Sequence, residues 1–293
     1  MGEVAFVTCR KLPEMHADDR LAADVLRDRG IPVVSAVWDD PAVDWRRYGC
    51  VVIRSAWDYH HHQDRYAAWL QQCARDGVRL WNPPAAVLAN MNKRYLSDLA
   101  QRGVEVVPTE YLPVRHGQTL RGLLERRGWN QAVVKPAVSA SAYRTWRTAL
   151  ATADRDQPVF EEDSDRHEVL IQPHVDEIVT RGEWSLVFFA GRHSHSAIKR
   201  PAAGDFRVQE ELGGHSAPAD PPADAIDAAR HILSLSPSPR LYARVDGVER
   251  NGHFMLMELE INEPYLFIGS SPGAAARFAE AIEAVLGGGL SPL

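Results

Sequence analysis

Met257-Glu258-Leu259-Glu260-Ile261-Asn262 alternates apolar and polar residues. On a strand of period two, one face would carry Glu258, Glu260 and Asn262, and the other Met257, Leu259 and Ile261. Upstream, Tyr242-Ala243-Arg244-Val245-Asp246 repeats the pattern and puts Arg244 and Asp246 on one face. Polar residues projecting from two apolar strands are costly inside a core unless a cation neutralises them. Oxygen ligands of this type suit Mg2+, which takes a few carboxylates together with substrate phosphates. Asp246, Glu258, Glu260 and Asn262 are therefore candidate oxygen ligands. A strand with one solvated face is the competing explanation.

Working back from this pair, three further features come in an order suited to nucleotide phosphate chemistry. Val133-Val134-Lys135-Pro136 reads as a strand that ends in lysine and gives way to the small-residue loop 137–142, which includes Ser141. Small side chains let backbone N–H groups approach phosphate oxygens, and Lys135 supplies a point charge. Leu170-Ile171-Gln172-Pro173-His174-Val175 is an apolar strand running into a proline-containing hinge, which can present backbone groups to a flat base such as adenine. Ala197-Ile198-Lys199-Arg200-Pro201, followed by Gly204-Asp205-Phe206-Arg207 and Gly213-Gly214, interleaves cations with proline and glycine. That interleaving suits a structured anion-binding loop better than a solvated charge run. Taken singly, each feature is equally a surface lysine, a plain linker or a charge run.

The rest of the chain supplies the frame. Residues 4–9, 31–38 and 50–53 read as buried strands, and 18–29 and 66–74 as helices, an alternation that predicts a parallel sheet covered by helices. Asn82-Pro83-Pro84 breaks the pattern. A smaller α+β lobe follows, with helices over 93–101 and 119–126 and strands over 104–107, 132–134, 142–148 and 169–172. The last third holds strands over 184–189 and 254–261 and helices over 223–233 and 274–286. The fold class expected is α/β with α+β lobes: a Rossmann-like substrate domain over 1–88, a central lobe and lid over 89–175, and a C-terminal lobe over 176–293.

Composition excludes several classes. The chain has 293 residues, 45% hydrophobic and 25% charged, the balance of an ordinary globular protein. A net charge of -6 gives no global drive toward nucleic acid or an anionic membrane. No apolar run is long enough to span a bilayer and no signal peptide is seen, so a cytoplasmic protein is expected. Cys9, Cys50 and Cys73 are odd in number and lack C-x-x-C spacing, which argues for buried thiols rather than a disulfide or zinc scaffold. G-x-G-x-x-G, the P-loop pattern, H-E-x-x-H and G-x-S-x-G are all absent. His60-His61-His62 is expected to be solvent-exposed, because consecutive side chains do not converge on one ion. His193 and His195 would share a strand face, in a structural or substrate-lining place.

The ordered set Lys93, Lys135, the hinge Gln172, Pro173, His174 and Val175, Glu183, Lys199, Arg244-x-Asp246 and Glu260-x-Asn262 resembles the ATP-grasp superfamily. It is similar to the glutathione synthetase and D-alanine–D-alanine ligase branch, over roughly residues 90–270. The resemblance implies an ATP-grasp fold with ATP held between the central and C-terminal lobes, and ATP and Mg2+ as cofactors. It implies that Lys93, Lys135 and Lys199 contact phosphates and that Ser141 belongs to the nucleotide site. The hinge would receive adenine and Glu183 the ribose, while Asp246, Glu260 and Asn262 would hold Mg2+. Arg244, with Lys199 and Arg207, would serve catalysis, Arg244 by stabilising an anionic intermediate. The chain departs from the pattern in a Ser/Ala-rich loop after Lys135, where many relatives carry glycine. It departs again at Gln172 and Pro173, where an acidic and an amphipathic residue are common.

A narrower set, Thr8-Cys9-Arg10, Arg54-Ser55-Ala56-Trp57-Asp58-Tyr59 and Gly182-Glu183-Trp184-Ser185-Leu186, looks like the O-ureido-D-serine cyclo-ligase group of D-cycloserine biosynthesis. It implies a C–N ligase of antibiotic biosynthesis acting on an amino-acid-like carboxylate. The loops after the first and third strands lie at the carboxyl ends of a parallel sheet, where open α/β sheets bind ligands. Thr8, Arg10, Ser55, Trp57, Asp58, Tyr59 and Arg244 are accordingly the candidate substrate residues. Three readings compete: an intramolecular ligase, an intermolecular carboxylate–amine ligase, and a non-catalytic nucleotide-binding regulatory protein. A homodimer is left open.

Overall fold

Val4–Thr8 (β1) is apolar up to its final threonine and buried at every residue. It pairs in parallel with Val33–Val37 (β2) and Cys50–Ser55 (β3), and Leu80–Trp81 (β4) completes the order β2-β1-β3-β4. Val4 and Phe6 turn toward helices Ala17–Asp28 and Ala274–Leu286, whereas Ala5 and Val7 turn toward Gln63–Arg75 and Pro84–Met91. Both faces are covered, which is why β1 reads as a continuous apolar run rather than an alternating one. The structure, a computed structural model, describes residues 2–289.

The second sheet is antiparallel, with order β5-β8-β6-β7: Glu110–Leu112 (β5), Gln131–Pro136 (β6), Trp146–Ala149 (β7) and Val169–Pro173 (β8). Its apolar face packs on helices Leu120–Arg127 and Ala153–Arg166. The third, also antiparallel, runs β11-β10-β9-β12-β13: Glu183–Phe189 (β9), Arg192–Arg200 (β10), His215–Pro218 (β11), Tyr242–Arg250 (β12) and His253–Glu260 (β13). Leu186, Phe188, Ala243, Val245, Leu256 and Leu259 pack with helix Ala223–Ser234 on one face. The opposite face carries Ser185, Arg244, Asp246 and Glu260 toward the second sheet.

Three local expectations are corrected. Residues 104–107 form no strand of the central sheet, whose edge is β5. A single bridge, Val106 to Leu256, lays them along β13, with Leu256 N donating to Glu105 O at 2.8 Å. Residues 142–145 are a turn and β7 begins at Trp146, because Ser141, Ala142 and Arg144 take positive φ (50°, 55° and 49°) that a strand cannot accommodate. Helix Ala153–Arg166 was hidden by its charge. Its core side is narrow, with Phe160 fully buried, and Pro158, its sixth residue, lacks the N–H that would bond the carbonyl of Asp154. Among the described residues no helix is long and apolar enough to cross a membrane.

Candidate active-site cleft

A cavity of about 300 Å³ lies between β6 and β8 on one side and β9, β12 and β13 on the other, in the range of small-molecule sites. Its floor is built by register. Arg244 stands directly opposite Glu260, and Asp246 opposite Glu258, so the four charged side chains share one face as the alternation requires. A register shift after Asp246 frees the bulged strand locally, and Gly247 sits there because any Cβ would run into Met255 O at 2.6 Å and the Phe254 ring.

The floor is a chain of buried ion pairs. Arg244 donates to Asp246 at 2.8 Å and also pairs with Glu260. Lys199 bridges Glu183 at 2.7 Å and Asp246 at 3.1 Å, and Ser185 Oγ donates to Asp246 at 2.7 Å. Burial opposes ionisation of Asp246, but Arg244 and Lys199 hold its carboxyl down at about 2. Burial pushes Glu260 up to about 7; Arg244 opposes the rise, while Glu258 and Asp246 add to it. Glu183 is likewise raised by burial, with Lys199 pulling against it. Gly182, at φ 95°, lets β9 start against β10: a Cβ would meet Ile198 at 2.8 Å and Lys199 O at 2.9 Å.

Lys93 reaches Glu258 at 3.1 Å and donates to Ser139 O at 2.7 Å, tying the start of the small-residue loop to β13. Lys135, on β6, lines the same cavity but makes no ion pair or side-chain hydrogen bond with any described residue. Burial lowers its ammonium below the usual lysine range, and Glu258 opposes that shift. Gln172, Pro173 and Val175 line the cleft, with Gln172 donating to Thr109 Oγ1 at 2.9 Å. His174 does not line it. Its backbone N–H is spent on Gln131 O, and its buried ring packs edge-on to Phe206 with Nε2 3.5 Å from Asp176, so it is not among the cleft-lining hinge residues expected to contact adenine.

The loop 137–145 closes one side of the cavity, Ser141 included. It is clasped from two directions. Tyr143 packs against His60 and His61, with ring centroids 5.2 and 4.9 Å apart. Arg144 pairs with Asp163 and, at 3.2 Å, with Glu162. His60 is thus buried, only 8% exposed, contrary to the expected solvation of the histidine run; His61 and His62 are exposed. Arg207 lines the cleft as well, but its guanidinium is held on Asp205 at 2.8 Å.

Of the candidate substrate residues, Trp57, Tyr59 and Arg244 line the cleft and the others do not. Thr8 and Ser55 are fully buried; Ser55 Oγ donates inward to Asp19 at 2.5 Å. Arg10 lies on the surface, paired with Asp39 at 3.0 Å. Asp58 accepts the Trp38 indole N–H at 2.8 Å. Arg10, Ser55 and Asp58 are each drawn off by a partner distant in sequence, which loop position alone does not disclose, while the buried Thr8 hydroxyl has no partner among the described residues. His193 and His195 do not line the cleft either. His195 bonds Leu266 O at 2.7 Å and so supports the loop after β13.

That loop supplies residues the alternation did not reach: Glu263, Tyr265 and Phe267, joined by His16 from the first domain. Trp57 Nε1 donates to Glu263 O at 2.9 Å, and Arg54 donates to Pro264 O at 2.8 Å. Glu263 is the third acid of its run, so its type was visible; its direction was not, because β13 ends at Glu260. Burial pushes its carboxyl up to about 8, with Glu260 the next cause. Asn262 stands at the junction. Tyr66 OH donates to its Oδ1 at 2.8 Å, and its buried Nδ2 has no partner among the described residues.

The chain is similar to known proteins over nearly its whole length. The family profile described as D-cycloserine synthetase DcsG, N-terminal domain, matches residues 4–82. The cycloserine biosynthesis protein DcsG of Streptomyces lavendulae is 30% identical over 296 residues, covering 96% of this chain and 98% of that protein. The crystal structure of D-cycloserine synthetase DcsG superposes with a TM-score of 0.87 at 28% identity, over 97% of this chain and 100% of that one. The D-alanine–D-alanine ligase of Bacillus anthracis shares the fold, with a TM-score of 0.70 at 15% identity over 99% of this chain and 98% of its own.

Proposed function

The chain belongs to the family of the D-cycloserine synthetase DcsG, an ATP-dependent ligase of the ATP-grasp fold, and we propose that it closes O-ureido-D-serine to D-cycloserine. The observation that carries the proposal is the convergence on one cavity of an unpaired lysine, Lys135, the Arg244–Asp246–Glu260–Asn262 set and the first-domain residues Trp57 and Tyr59. The first two serve nucleotide chemistry; the third brings a small-molecule wall to it.

In this proposal Gln172, Pro173 and Val175 receive adenine, against a wall that includes Val133, Ile178 and Met257. Glu183 takes the ribose. Lys93, Lys135 and Lys199 neutralise phosphate oxygens, with Ser141 in the loop that covers them. Asp246, Glu260 and Asn262 hold Mg2+. The fit is chemical: oxygen donors share one face, burial pushes Glu260 up to about 7 despite Arg244, and the Asn262 amide has an end without a partner. Exchanging the two ends of that amide would turn its oxygen to the cavity and leave its NH2 to Tyr66. When bound, Mg2+ supplies charge neutralisation on the transferring phosphoryl group.

The substrate carboxylate attacks the γ-phosphate to give an acyl phosphate and ADP, the ureido nitrogen bonded to oxygen displaces phosphate to close the ring, and water then removes the carbamoyl group carried by that nitrogen, as carbon dioxide and ammonia, to leave D-cycloserine. Arg244 is placed to stabilise the tetrahedral oxyanion of the ring-closing step. Because attack is intramolecular, its effective molarity can reach ~10⁵ M or more. The protein has then to fold the substrate and exclude water, which Trp57, Tyr59 and the clasped loop at Tyr143 do. The test is to supply the full-length enzyme with ATP, Mg2+ and O-ureido-D-serine alone. Release of ADP with formation of D-cycloserine is expected; an obligatory second amine would overturn ring closure in favour of intermolecular ligation.

A further inference from the structure

We propose that the Glu263 carboxyl anchors the cationic α-amine of the substrate, making it the residue that selects an amino acid over a simple carboxylic acid. The assignment rests on the reaction proposed above.

Apart from Glu210 and Glu211, which line the cleft but are exposed, its charges pair off with two exceptions. Glu258 is taken by Lys93, Glu260 and Asp246 by Arg244, Asp246 and Glu183 by Lys199, and Arg207 by Asp205. Lys135 is left without an acid and Glu263 without a cation among the described residues. They stand at different ends, Lys135 on β6 of the central sheet and Glu263 beyond β13 beside the first domain. A cavity with a spare cation at one end and a spare anion at the other is complementary to a phosphate-bearing ligand and an ammonium-bearing one held together.

Glu263 is 8% exposed and lines the cavity, and its carboxyl makes no hydrogen bond or ion pair with a described side chain. A buried carboxyl without a partner is costly unless a ligand completes it. Its backbone is pinned on both sides: Tyr242 OH donates to Asn262 O at 2.7 Å, Trp57 to Glu263 O and Arg54 to Pro264 O. The main chain that carries the carboxyl is therefore fixed at the edge of the cavity. Position fits the chemistry too. An α-amine lies only two bonds from its carboxyl carbon, so its anchor has to sit next to the groups that activate the carboxylate. Glu263 directly follows Asn262. Aromatic rings complete that end, with the His16 ring tilted against Trp57 at 5.0 Å and edge-on to Tyr265 at 5.5 Å, surfaces that also favour an ammonium. Held as an ammonium, the α-amine has no lone pair with which to attack a second activated molecule, which keeps acylation within one molecule.

The experiment compares two substrates that differ only in the α-amine, the ureido amino acid and its des-amino analogue, with wild type, Glu263→Gln and Glu263→Asp. Wild type is expected to prefer the amine by roughly 10- to 150-fold in kcat/KM, the reach of one charge-assisted hydrogen bond. Glu263→Gln is expected to erase that preference by weakening only the amine-bearing compound, through KM, with ATP and Mg2+ half-saturation unchanged. Glu263→Asp keeps part of it and carries the comparison if the glutamine variant does not fold. An unchanged preference in Glu263→Gln overturns the proposal, as does a raised Mg2+ requirement with the preference intact, which would make Glu263 a metal ligand. If wild type turns over neither compound, the ring-closure proposal falls by itself. Equilibrium binding of the two compounds to wild type and Glu263→Gln then decides on Glu263.

Discussion

Arg244 and Glu260 are direct cross-strand partners, and the same guanidinium that reaches Glu260 also grips Asp246 two residues along its own strand. One cation thus sits between two acids that the proposed chemistry assigns to Mg2+, so its removal should strike charge balance and catalysis together. Arg244→Lys keeps the charge but loses the planar fork that serves both carboxylates. Activity should fall by roughly 10²–10³-fold for Arg244→Lys, the scale of a lost oxyanion donor. ADP release by the variant checks this; near wild-type turnover would show that Arg244 is only structural.

Lys135→Met separates binding from folding. Removing a charge-assisted phosphate contact should weaken ATP use by roughly 10- to 150-fold. Stability should stay level or rise, because a desolvated ammonium without a partner is replaced by an apolar chain of similar length. ATP titration and thermal melting measure both; a variant that loses stability but keeps its ATP affinity would displace Lys135 from the phosphate site.

Arg54 should matter for stability instead. It is 1% exposed, pairs with Asp19 at 2.9 Å and packs over the Tyr242 and Phe278 rings. Arg54→Met leaves Asp19 uncompensated, at a cost of about 3–5 kcal/mol. Adding Asp19→Asn should recover part of it, since the stranded charge is then gone. Urea unfolding of the single and double variants reads this out, and full additivity would show that the two residues do not act as a pair.

Histidine titration gives a pH dependence with a definite sign. Burial lowers both His60 and His195 from 6.5 to about 4. Between those values each unfolded histidine binds more protons than its folded counterpart, so their contribution to stability is complete above about 6.5 and declines as pH falls toward 4. The loss should be of the order of 1–3 kcal/mol for each histidine. Chemical denaturation at a series of pH values tests it, with His60→Asn and His195→Asn each expected to flatten the profile. Glu260 and Glu263, raised to about 7 and 8, act in the opposite sense over this window, so the difference between wild type and each variant is what decides, and no difference would mean that the rings titrate normally.

The sequence by itself determined which residues of β12 and β13 share a face. That is a property of the pleated backbone, and it put Arg244, Asp246, Glu258 and Glu260 on one side before any partner was known. It also determined the order of lysines and hinge, and the parallel first sheet, because buried strands and helices carry their periodicity with them. Tertiary structure alone decided what lies beyond the strand ends. Ser55 turns to Asp19, Asp58 to Trp38, His60 to Tyr143 and Glu263 into the cleft, and each direction is set by a contact with a segment distant along the chain or by the turn that ends β13. Face parity stops where the hydrogen-bonded ladder stops. From there the path follows whatever packing satisfies the buried polar groups, and no local pattern encodes those partners.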